Sequence, residues 1–355
     1  MSTTRRRIAI LAEGKCSAIG AKTATGVLRY SPHEVVAVID SERAGLTAEA
    51  VLGYGGPVPV VASVREALAL EPEVLLIGIA PSGGQLPDEW RPALREAIEG
   101  RLDIWSGLHA FLGDDDEIAD LAQRHNVRVW DVRKPRPDLI VGSGRALKAR
   151  AHVCLMIGSD CNVGKMTVGL ELQKSARARG LKAAFVATGQ TGILIEGEGT
   201  PLDAIPGDFM AGEVERLVME QDAAGADVVF VEGQGGLHHP GFGPVTLGLL
   251  LGAMPDSFVL GHMPSRTEYR PDIGVPLPPL KQVIAQYEDL MEYYKAPKVL
   301  AIALNTFDHT AEDAARVIAE TQTLTGLPTV DPFRTGVEPV MDALEPMIRE
   351  KLEKK

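Results

Sequence analysis

The sequence predicts an α/β protein with two domains, each built on an open parallel β-sheet. Short apolar runs alternate with helix-like segments along most of the chain, and this alternation favours parallel strands joined by crossover helices. A stretch rich in proline, glycine and basic residues interrupts the alternation at 136–150. The length of 355 residues also exceeds what one hydrophobic core usually supports.

The first predicted domain covers residues 1–135. Its apolar runs are short and continuous, as in strands that are buried on both faces of a sheet; they are RIAILAEG, EVVAVID, EVLLIGIA, LDIWSG and VRVWDV. The helix-like segments between them are SVREALAL, DEWRPALREAIEG and DDDEIADLAQRH. Right-handed strand–helix–strand crossovers then predict a Rossmann-like sheet.

A dinucleotide site in this first domain is not predicted. Asp40 ends the second apolar run, at the position where NAD enzymes bind ribose. The turn after the first run, AEGKCSAIGAKT, does not have the G-x-G-x-x-G spacing that accompanies such a site.

The interrupting stretch, 136–150, is interpreted as a linker, and 151–355 as the second domain. Here the strand-like runs are AHVCLMIGS, KAAFVATG, ADVVFVEG, SFVLGH and KVLAIALN. Helical patterns are expected near 165–180, 210–224, 279–294 and 310–325.

A glycine-rich loop, GSDCNVGKMT, follows the first of these runs and opens a helical pattern. This is the context in which a P-loop match is informative. Backbone N–H groups of such a loop, together with the helix N-terminus, surround phosphate oxygens. The second domain is therefore predicted to be P-loop NTPase-like. We expect the phosphate-binding residues to be Gly158, Ser159, Asp160, Cys161, Asn162, Val163, Gly164, Lys165, Met166 and Thr167.

The residue after the lysine is unusual for a nucleotide hydrolase. That residue normally supplies a hydroxyl group to Mg²⁺, but here it is Met166, and a thioether is a poor ligand for a hard cation. Thr167 lies about 100° further around the helix, so it replaces the hydroxyl only if the helix is locally distorted. We therefore expect the loop to hold a phosphorylated carrier such as coenzyme A, with no essential Mg²⁺ and no other metal.

Two features of this region resemble dethiobiotin synthetase and its relatives. Five residues separate Gly158 from Gly164, where the common P-loop has four, and the longer loop of those enzymes also carries an acidic residue. The run VVFVEGQGG resembles their EGAGG-type turn. In that resemblance Glu232 would take the role of the glutamate that helps to hold magnesium.

The whole set of motifs resembles one family over nearly the full chain. The motifs are AKTATG, GSDCNVGKMT, PGDFMAGEVERLV, VEGQGGLHHP, GHMPSR and DPFRTG. This family combines a Rossmann-like N-terminal domain with a dethiobiotin-synthetase-like P-loop domain, and members with a known activity are D-glutamate N-acetyltransferases. The resemblance implies acetyl transfer from acetyl-CoA to the amine of D-glutamate, in D-glutamate catabolism. The family's GKTATG is AKTATG here, which weakens a phosphate-binding role for that turn.

Acetyl transfer to an amine needs a base and donors for the developing oxyanion. The carboxylates expected to act are Asp208, before a helical pattern, and Glu232, at the end of a buried strand; a helix cap and a structural hydrogen bond are the alternatives. His238 and His239 are adjacent, and adjacent side chains on an extended segment point to opposite sides. We therefore expect only one of them to face the site.

The dicarboxylate substrate implied by the resemblance needs arginine, which binds carboxylates through two parallel hydrogen bonds. The substrate-binding candidates are Lys22, Thr23, Thr188, Gln190, Thr191, Arg266, Arg270 and Arg334. Asn305 ends the strand KVLAIALN and is the candidate for reading the adenine of the carrier.

The composition limits the kinds of binding partner and the cellular compartment that we expect. A formal net charge of −12 argues against nucleic acid as a partner, and no apolar run reaches the ~20 residues of a membrane-spanning helix. Three cysteines without metal-site spacing are interpreted as reduced thiols of a cytoplasmic protein. We expect small-molecule substrates and a homo-oligomer.

Two competing functions remain open from the residues. An ATP- and Mg²⁺-dependent ligase or kinase acting on a small carboxylate would also explain the dethiobiotin-like loop. A nucleotide-switched regulatory protein is a third interpretation. It is weakened because switch ATPases usually place a further lysine at the start of the loop, where this chain has GSDCN.

Overall fold

The computed structural model contains two parallel six-stranded sheets, as the alternating pattern predicts. One compact unit comprises Met1–Pro135 and Gly189–Ala204, and the other comprises Arg136–Thr188 and Ile205–Lys355. The structure describes residues 5–17, 20–79, 83–269 and 274–354.

The sheet of the first unit has the Rossmann strand order. Its strands run in the order β3-β2-β1-β4-β5-β6, and every pairing is parallel. This is the order of a doubly wound dinucleotide-binding sheet, so the predicted Rossmann-like architecture is confirmed. The strands are β1 (Arg7–Leu11), β2 (Glu34–Ile39), β3 (Val60–Val61), β4 (Val74–Ile77), β5 (Asp103–Ser106) and β6 (Val129–Asp131).

Three helices of the first unit, α2, α3 and α5, begin at side chains that bond to their free N–H groups. Ser63 and Asp115 accept hydrogen bonds from the backbone of the first turn, which stabilises a helix start. The helices before residue 135 are α1 (Lys22–Tyr30), α2 (Ala48–Leu52), α3 (Val64–Leu68), α4 (Arg91–Glu99) and α5 (Asp116–His125).

The carboxylate of Asp40 accepts hydrogen bonds from backbone N–H groups. It caps a short turn by accepting the N–H groups of Glu42 and Arg43, and its second oxygen accepts the N–H of Cys16 at 3.1 Å. Asp40 is 1% exposed. These contacts give the residue a structural role at the end of β2.

The second sheet is also entirely parallel, with the order β14-β13-β10-β7-β9-β8. Strand β7 lies between β9 and β10, so the strand order reverses beside it. Ligands of open α/β sheets bind at the carboxyl ends of the strands flanking such a reversal. The strands are β7 (His152–Gly158), β8 (Ala183–Val186), β9 (Val228–Val231), β10 (Ser257–His262), β13 (Lys298–Leu304) and β14 (Thr329–Val330), and a separate hairpin pairs β11 (Glu268–Tyr269) with β12 (Val275–Pro276).

Helices after residue 151 include the four that the pattern predicts and some that it does not. The amphipathic segments form helices close to their expected bounds, whereas α9 has no predicted counterpart because it is apolar throughout. The helices are α6 (Lys165–Ala178), α7 (Gln190–Glu196), α8 (Gly207–Ala223), α9 (Gly243–Ala253), α10 (Leu280–Met291), α11 (Ala311–Thr325) and α12 (Glu338–Glu353). Among the described helices, none combines the length and hydropathy of a membrane crossing.

The segment Gly189–Ala204 belongs to the first unit although it follows β8 of the second sheet. Arg133, which is 6% exposed, ties it to that unit. The Arg133 guanidinium donates to Gly107 O at 2.8 Å, to Gln190 Oε1 at 2.6 Å and to the carboxylate of Asp203. The simple boundary expected from sequence places this segment in the second domain, so the chain passes between the units more often than expected.

Residues 136–150, interpreted from sequence as a linker, lie within the second unit. Their regular structure is limited to a short 3-10 turn, Arg145–Lys148. Ser143 and Arg145 are held by the buried carboxylate of Glu215 on α8. This stretch is therefore packed against α8 rather than suspended between domains.

Candidate functional site

The glycine-rich loop connects β7 to α6 at the strand reversal. Asn162 and Gly164 have φ angles of 57° and 98°, the left-handed region that turns the chain sharply into a helix. A Cβ atom on Gly158 would lie 2.8 Å from Lys165 Nζ and 3.0 Å from Asp160 O, so a larger residue there would displace the lysine from its present position. The loop leads into the N-terminus of the 14-residue helix α6, an arrangement of backbone N–H groups that is typical of anion sites.

Lys165 is buried within this loop and is 7% exposed. Its ammonium group donates hydrogen bonds to Asp160 O at 2.8 Å and Gly235 O at 2.7 Å. Burial lowers the pKa of Lys165 to about 8, although nearby acidic groups, Asp160 and Glu232 among them, attract the charged form. The lysine therefore joins the loop to a second loop that carries Gly235.

This second loop, residues 232–239, follows β9 and packs directly on the first. Glu232 Oε2 accepts the N–H of Thr188 at 2.9 Å, and the Thr188 hydroxyl donates to Glu232 O at 2.7 Å. A Cβ atom on Gly233 would lie 1.6 Å from Met156 O, a distance that no side chain permits. The EGQGG turn thus allows two backbones to meet.

Tyr287 on α10 forms hydrogen bonds to both loops. This role is not predicted from the sequence. Tyr287 is fully buried; its hydroxyl donates to Gly158 O at 2.9 Å and accepts the N–H of Leu237 at 3.0 Å. Burial raises the pKa of Tyr287, so the phenol stays protonated and keeps both bonds. No glycine-rich or charged motif surrounds this tyrosine in the sequence, so no local signal marks it.

Arg266 binds the phosphate loop itself. Its Nη1 atom donates to Asp160 Oδ2 at 2.7 Å and to Cys161 O at 2.6 Å. The Asp160 side chain is fully buried, whereas that of Arg266 is 22% exposed. Arg266, predicted from the sequence to bind a substrate carboxylate, therefore pairs with a carboxylate of its own protein.

Ser159 and His262 form another pair at the loop. The Ser159 hydroxyl lies 2.9 Å from His262 Nδ1 at the end of β10. Burial, aided by the positive charge of Arg266, lowers the pKa of His262 to about 4. The imidazole is therefore neutral at pH 7, and we did not identify it from the sequence.

The adjacent histidines differ in environment. His238 is exposed, whereas His239 is 4% exposed and its Nε2 lies 4.0 Å from Asp160 Oδ1. His239 Nδ1 accepts the backbone N–H groups of Gly241 and Phe242 at 3.1 and 3.2 Å. A nitrogen that accepts hydrogen bonds carries no proton, so the ring proton of His239 is on Nε2.

One group in the described part of the chain has side chains of the kind that bind metal ions. Candidate ligand atoms of Asp160, Cys161 and His239 lie within 4.8 Å of one another. A histidine that binds a metal uses a ring nitrogen without a proton and donates from the other. Here the nitrogen facing Asp160 carries the proton and the other accepts, so the residues present do not fit a metal ion.

Asp208 is exposed in the first turn of α8. Within the described residues, no hydrogen bond links its side chain to the two loops. Met166 and Thr167 are half-buried in the first turn of α6.

Two further candidates lie beside β13. Asn305 follows that strand, and its N–H donates to His262 O at 2.8 Å while its Oδ1 accepts the N–H of Phe307. Arg334 donates to backbone oxygens of Thr306 and His309. Arg334 is therefore partly engaged in holding the turn after β13.

The remaining described candidates lie in the first unit. In the first unit, Thr23 is 1% exposed and its hydroxyl lies 3.2 Å from that of Thr191. Lys22 is exposed at the start of α1, and Gln190 accepts from Arg133. Arg270 lies outside the described residues.

Comparison with known proteins places these motifs in a family. Residues 140–341 match the model described as "Domain of unknown function (DUF1611_C) P-loop domain", and residues 41–135 match "Domain of unknown function (DUF1611_N) Rossmann-like domain". A crystal structure of a DUF1611 family protein from Anabaena variabilis is 39% identical, with a TM-score of 0.91 over 96% of this chain and 100% of that one.

Two curated relatives carry the name D-glutamate N-acetyltransferase. The protein from Tritonibacter scottomollicae is 38% identical over 92% of this chain and 94% of its own length. The protein from a Pseudoalteromonas species is 35% identical over 79% and 83%. The resemblance that the motifs indicate is confirmed. The chain belongs to the DUF1611 family, in which a Rossmann-like domain precedes a P-loop domain.

Proposed function

We propose that this protein is an N-acetyltransferase that moves the acetyl group of acetyl-CoA to the amine of D-glutamate. The observation that carries the proposal is the 38% identity over 92% of the chain to a protein named D-glutamate N-acetyltransferase. The loop around Lys165 agrees with this activity, because it offers a buried ammonium and backbone N–H groups to phosphates. Met166 supplies no hydroxyl group for Mg²⁺.

In this proposal the loop Gly158–Thr167 binds the pyrophosphate of coenzyme A, and Asn305 is a candidate for contacting the adenine. The thioester lies at the far end of the pantetheine arm. Glu232 and His239, which lie beside the loop, are then next to the phosphates rather than next to the reacting amine. The group that takes the proton from the amine must lie away from the phosphates.

Asp208 is our choice for that base, because it is exposed rather than bonded into the loops. Its carboxylate attracts the substrate ammonium and accepts one proton from it, which frees the lone pair of the amine. The amine then attacks the thioester carbonyl, the C–S bond breaks, and coenzyme A leaves as a thiolate that takes up the second proton from the nitrogen. A general base contributes about 10²–10⁴-fold to a rate. We therefore expect Asp208→Asn to lower kcat about 100-fold while the KM for acetyl-CoA changes little, as steady-state kinetics will show. If His238→Asn lowers kcat and Asp208→Asn does not, the base is the histidine.

The activity is tested by mixing the protein with acetyl-CoA and a panel of D- and L-amino acids and following free thiol release. We expect release with D-glutamate that persists in EDTA, because the proposal gives Mg²⁺ no role. Substrate-dependent ADP release from ATP and Mg²⁺, without thiol release from acetyl-CoA, would instead establish a ligase or kinase.

We also propose a cytoplasmic homo-oligomer that binds small molecules rather than nucleic acid or membranes. The net charge of −12 and the three free cysteines support this setting. Sedimentation equilibrium measures the oligomeric state directly.

A further inference from the structure

The phosphate loop contains an acidic side chain that opposes its proposed ligand. Asp160 lies between the two loop glycines, and its side chain is fully buried. An uncompensated buried carboxylate is costly, and its negative charge would repel phosphate oxygens in the same loop. The protein therefore needs a cation that neutralises Asp160 without occupying the anion site.

Arg266 has the geometry for this task. One nitrogen, Nη1, reaches both Asp160 Oδ2 at 2.7 Å and Cys161 O at 2.6 Å. It thus contacts a side chain and a backbone carbonyl of consecutive loop residues, immediately before Asn162 in its left-handed conformation. Arginine is suited to such multiple contacts because its donors are held in a rigid plane.

The charges around Lys165 show what the positive charge of Arg266 contributes to the loop. Asp160 and Glu232 attract the Lys165 ammonium, and Arg266 repels it. Two carboxylates, Asp160 and Glu232, and two cations, Lys165 and Arg266, thus lie in or beside the loop. Removal of Arg266 leaves the carboxylates in excess where phosphates are to bind, so that Lys165 alone opposes both.

We propose that Arg266 is a positioning residue that prepares the loop for the phosphates of the acyl carrier, rather than a ligand for the carboxylates of the amine substrate. It neutralises Asp160 and fixes the carbonyl of Cys161, which sets the path of the loop. The inference rests on the proposed function, since it assigns the loop to the phosphates of acetyl-CoA.

The test compares Arg266→Ala, Arg266→Lys and the double variant Asp160→Asn/Arg266→Gln. Calorimetry measures the Kd of coenzyme A, and steady-state kinetics measures the KM of each substrate. Arg266→Ala should raise the Kd of coenzyme A about tenfold or more, because the unpaired carboxylate of Asp160 then repels the phosphates, and it should leave the KM for D-glutamate within about twofold. Lysine should restore part of the affinity. The double variant, which lacks the carboxylate, should bind coenzyme A more tightly than Arg266→Ala.

Arg316→Ala is the matched control, because Arg316 also forms ion pairs but on the exposed surface of α11. Circular dichroism establishes that each variant is folded. A raised KM for D-glutamate with an unchanged Kd for coenzyme A would assign Arg266 to the substrate and overturn the inference. Failure of the double variant to recover affinity would overturn the role of charge neutralisation.

Inorganic pyrophosphate separates this inference from the proposed function. If the wild-type protein binds pyrophosphate but not coenzyme A, the proposed carrier is wrong, while loss of pyrophosphate binding in Arg266→Ala still supports the role of Arg266. Equal pyrophosphate affinity of wild type and Arg266→Ala overturns the inference, whatever the carrier.

Discussion

Replacement of Lys165 by alanine is expected to raise the Kd for acetyl-CoA about 1,000-fold, the largest loss of binding that any single substitution in the loop should cause. Truncating one partner of a buried, hydrogen-bonded charge pair costs about 2–5 kcal/mol, and Lys165 is 7% exposed. The substitution also leaves Asp160 O and Gly235 O without the donor that joins the two loops. Calorimetric titration with acetyl-CoA provides the measurement.

Lys174→Ala is the matched control for this prediction. Lys174 lies on the same helix, α6, but is exposed, so its loss should change the Kd less than about twofold. Lys165→Arg should not restore binding, because a planar guanidinium does not fit two acceptors arranged around a compact ammonium. If Lys165→Ala binds acetyl-CoA within about tenfold of the wild type, the loop does not hold the phosphates.

The same ammonium gives a pH dependence with a defined sign. With a pKa of about 8, Lys165 is charged below this pH and loses its charge above it, while the phosphates stay ionised above about pH 7. The affinity for acetyl-CoA should therefore fall as pH rises through 8. The free energy of unfolding of the unliganded protein should instead rise as pH rises above 8. Folding lowers the pKa of Lys165, so above this pH the unfolded state binds more protons than the folded state.

The fold could be predicted because the patterns that determine its strands and helices lie within short segments of the sequence. Continuous apolar runs such as β7, which is buried along its whole length, are typical of parallel strands. The cap residues and periodicity of helices such as α11 are also visible within a few residues. The glycine-rich loop is predicted for the same reason, since its glycines and its lysine stand at fixed spacing within one short segment.

The contacts that complete the site join residues far apart in the chain. Tyr287 meets Gly158 across 129 positions and Arg266 meets Asp160 across 106. One sequence without relatives has no pattern that pairs such positions. The position of Arg266 at a strand end predicts a cation near the site. It does not predict the partner of that cation, because an arginine pairs equally well with a ligand carboxylate and with Asp160.

The assignment of 189–204 was missed for a different reason. Helix α7 follows β8 with the short connection expected of the second domain, yet it packs with α1 in the first unit. One contact that ties α7 to this unit, between Arg133 and Gln190 at 2.6 Å, spans 57 positions. Connection length therefore gave no indication of which sheet α7 packs near.

Replacement of Glu215 by alanine is expected to lower the free energy of unfolding by about 3–5 kcal/mol. Its side chain is 1% exposed, and its carboxylate accepts four hydrogen bonds: from the N–H and hydroxyl of Ser143 at 3.1 and 2.9 Å, and from the N–H and Nε of Arg145 at 2.7 and 2.9 Å. Alanine leaves these donors without their acceptor and detaches 136–150 from α8. Urea unfolding followed by circular dichroism measures the change.

Glu220→Ala on the same helix separates the buried carboxylate from a surface ion pair. The Glu220 side chain is 53% exposed and pairs with Arg216, so its loss should cost less than about 1 kcal/mol. Equal urea midpoints for the two variants would contradict the anchoring role of Glu215.

The response to acid gives a second, independent criterion. Burial alone would raise the pKa of Glu215, but the hydrogen bonds from Arg145 and Ser143 outweigh it and hold the pKa below its ordinary value. A carboxylate whose pKa is lowered by folding stabilises the protein above its unfolded pKa, and this stabilisation disappears as pH falls through the folded pKa. Glu215→Gln cannot titrate, so the stability difference between it and the wild type should shrink on acidification. A difference that stays constant with pH would show that shape, rather than charge, holds 136–150 in place.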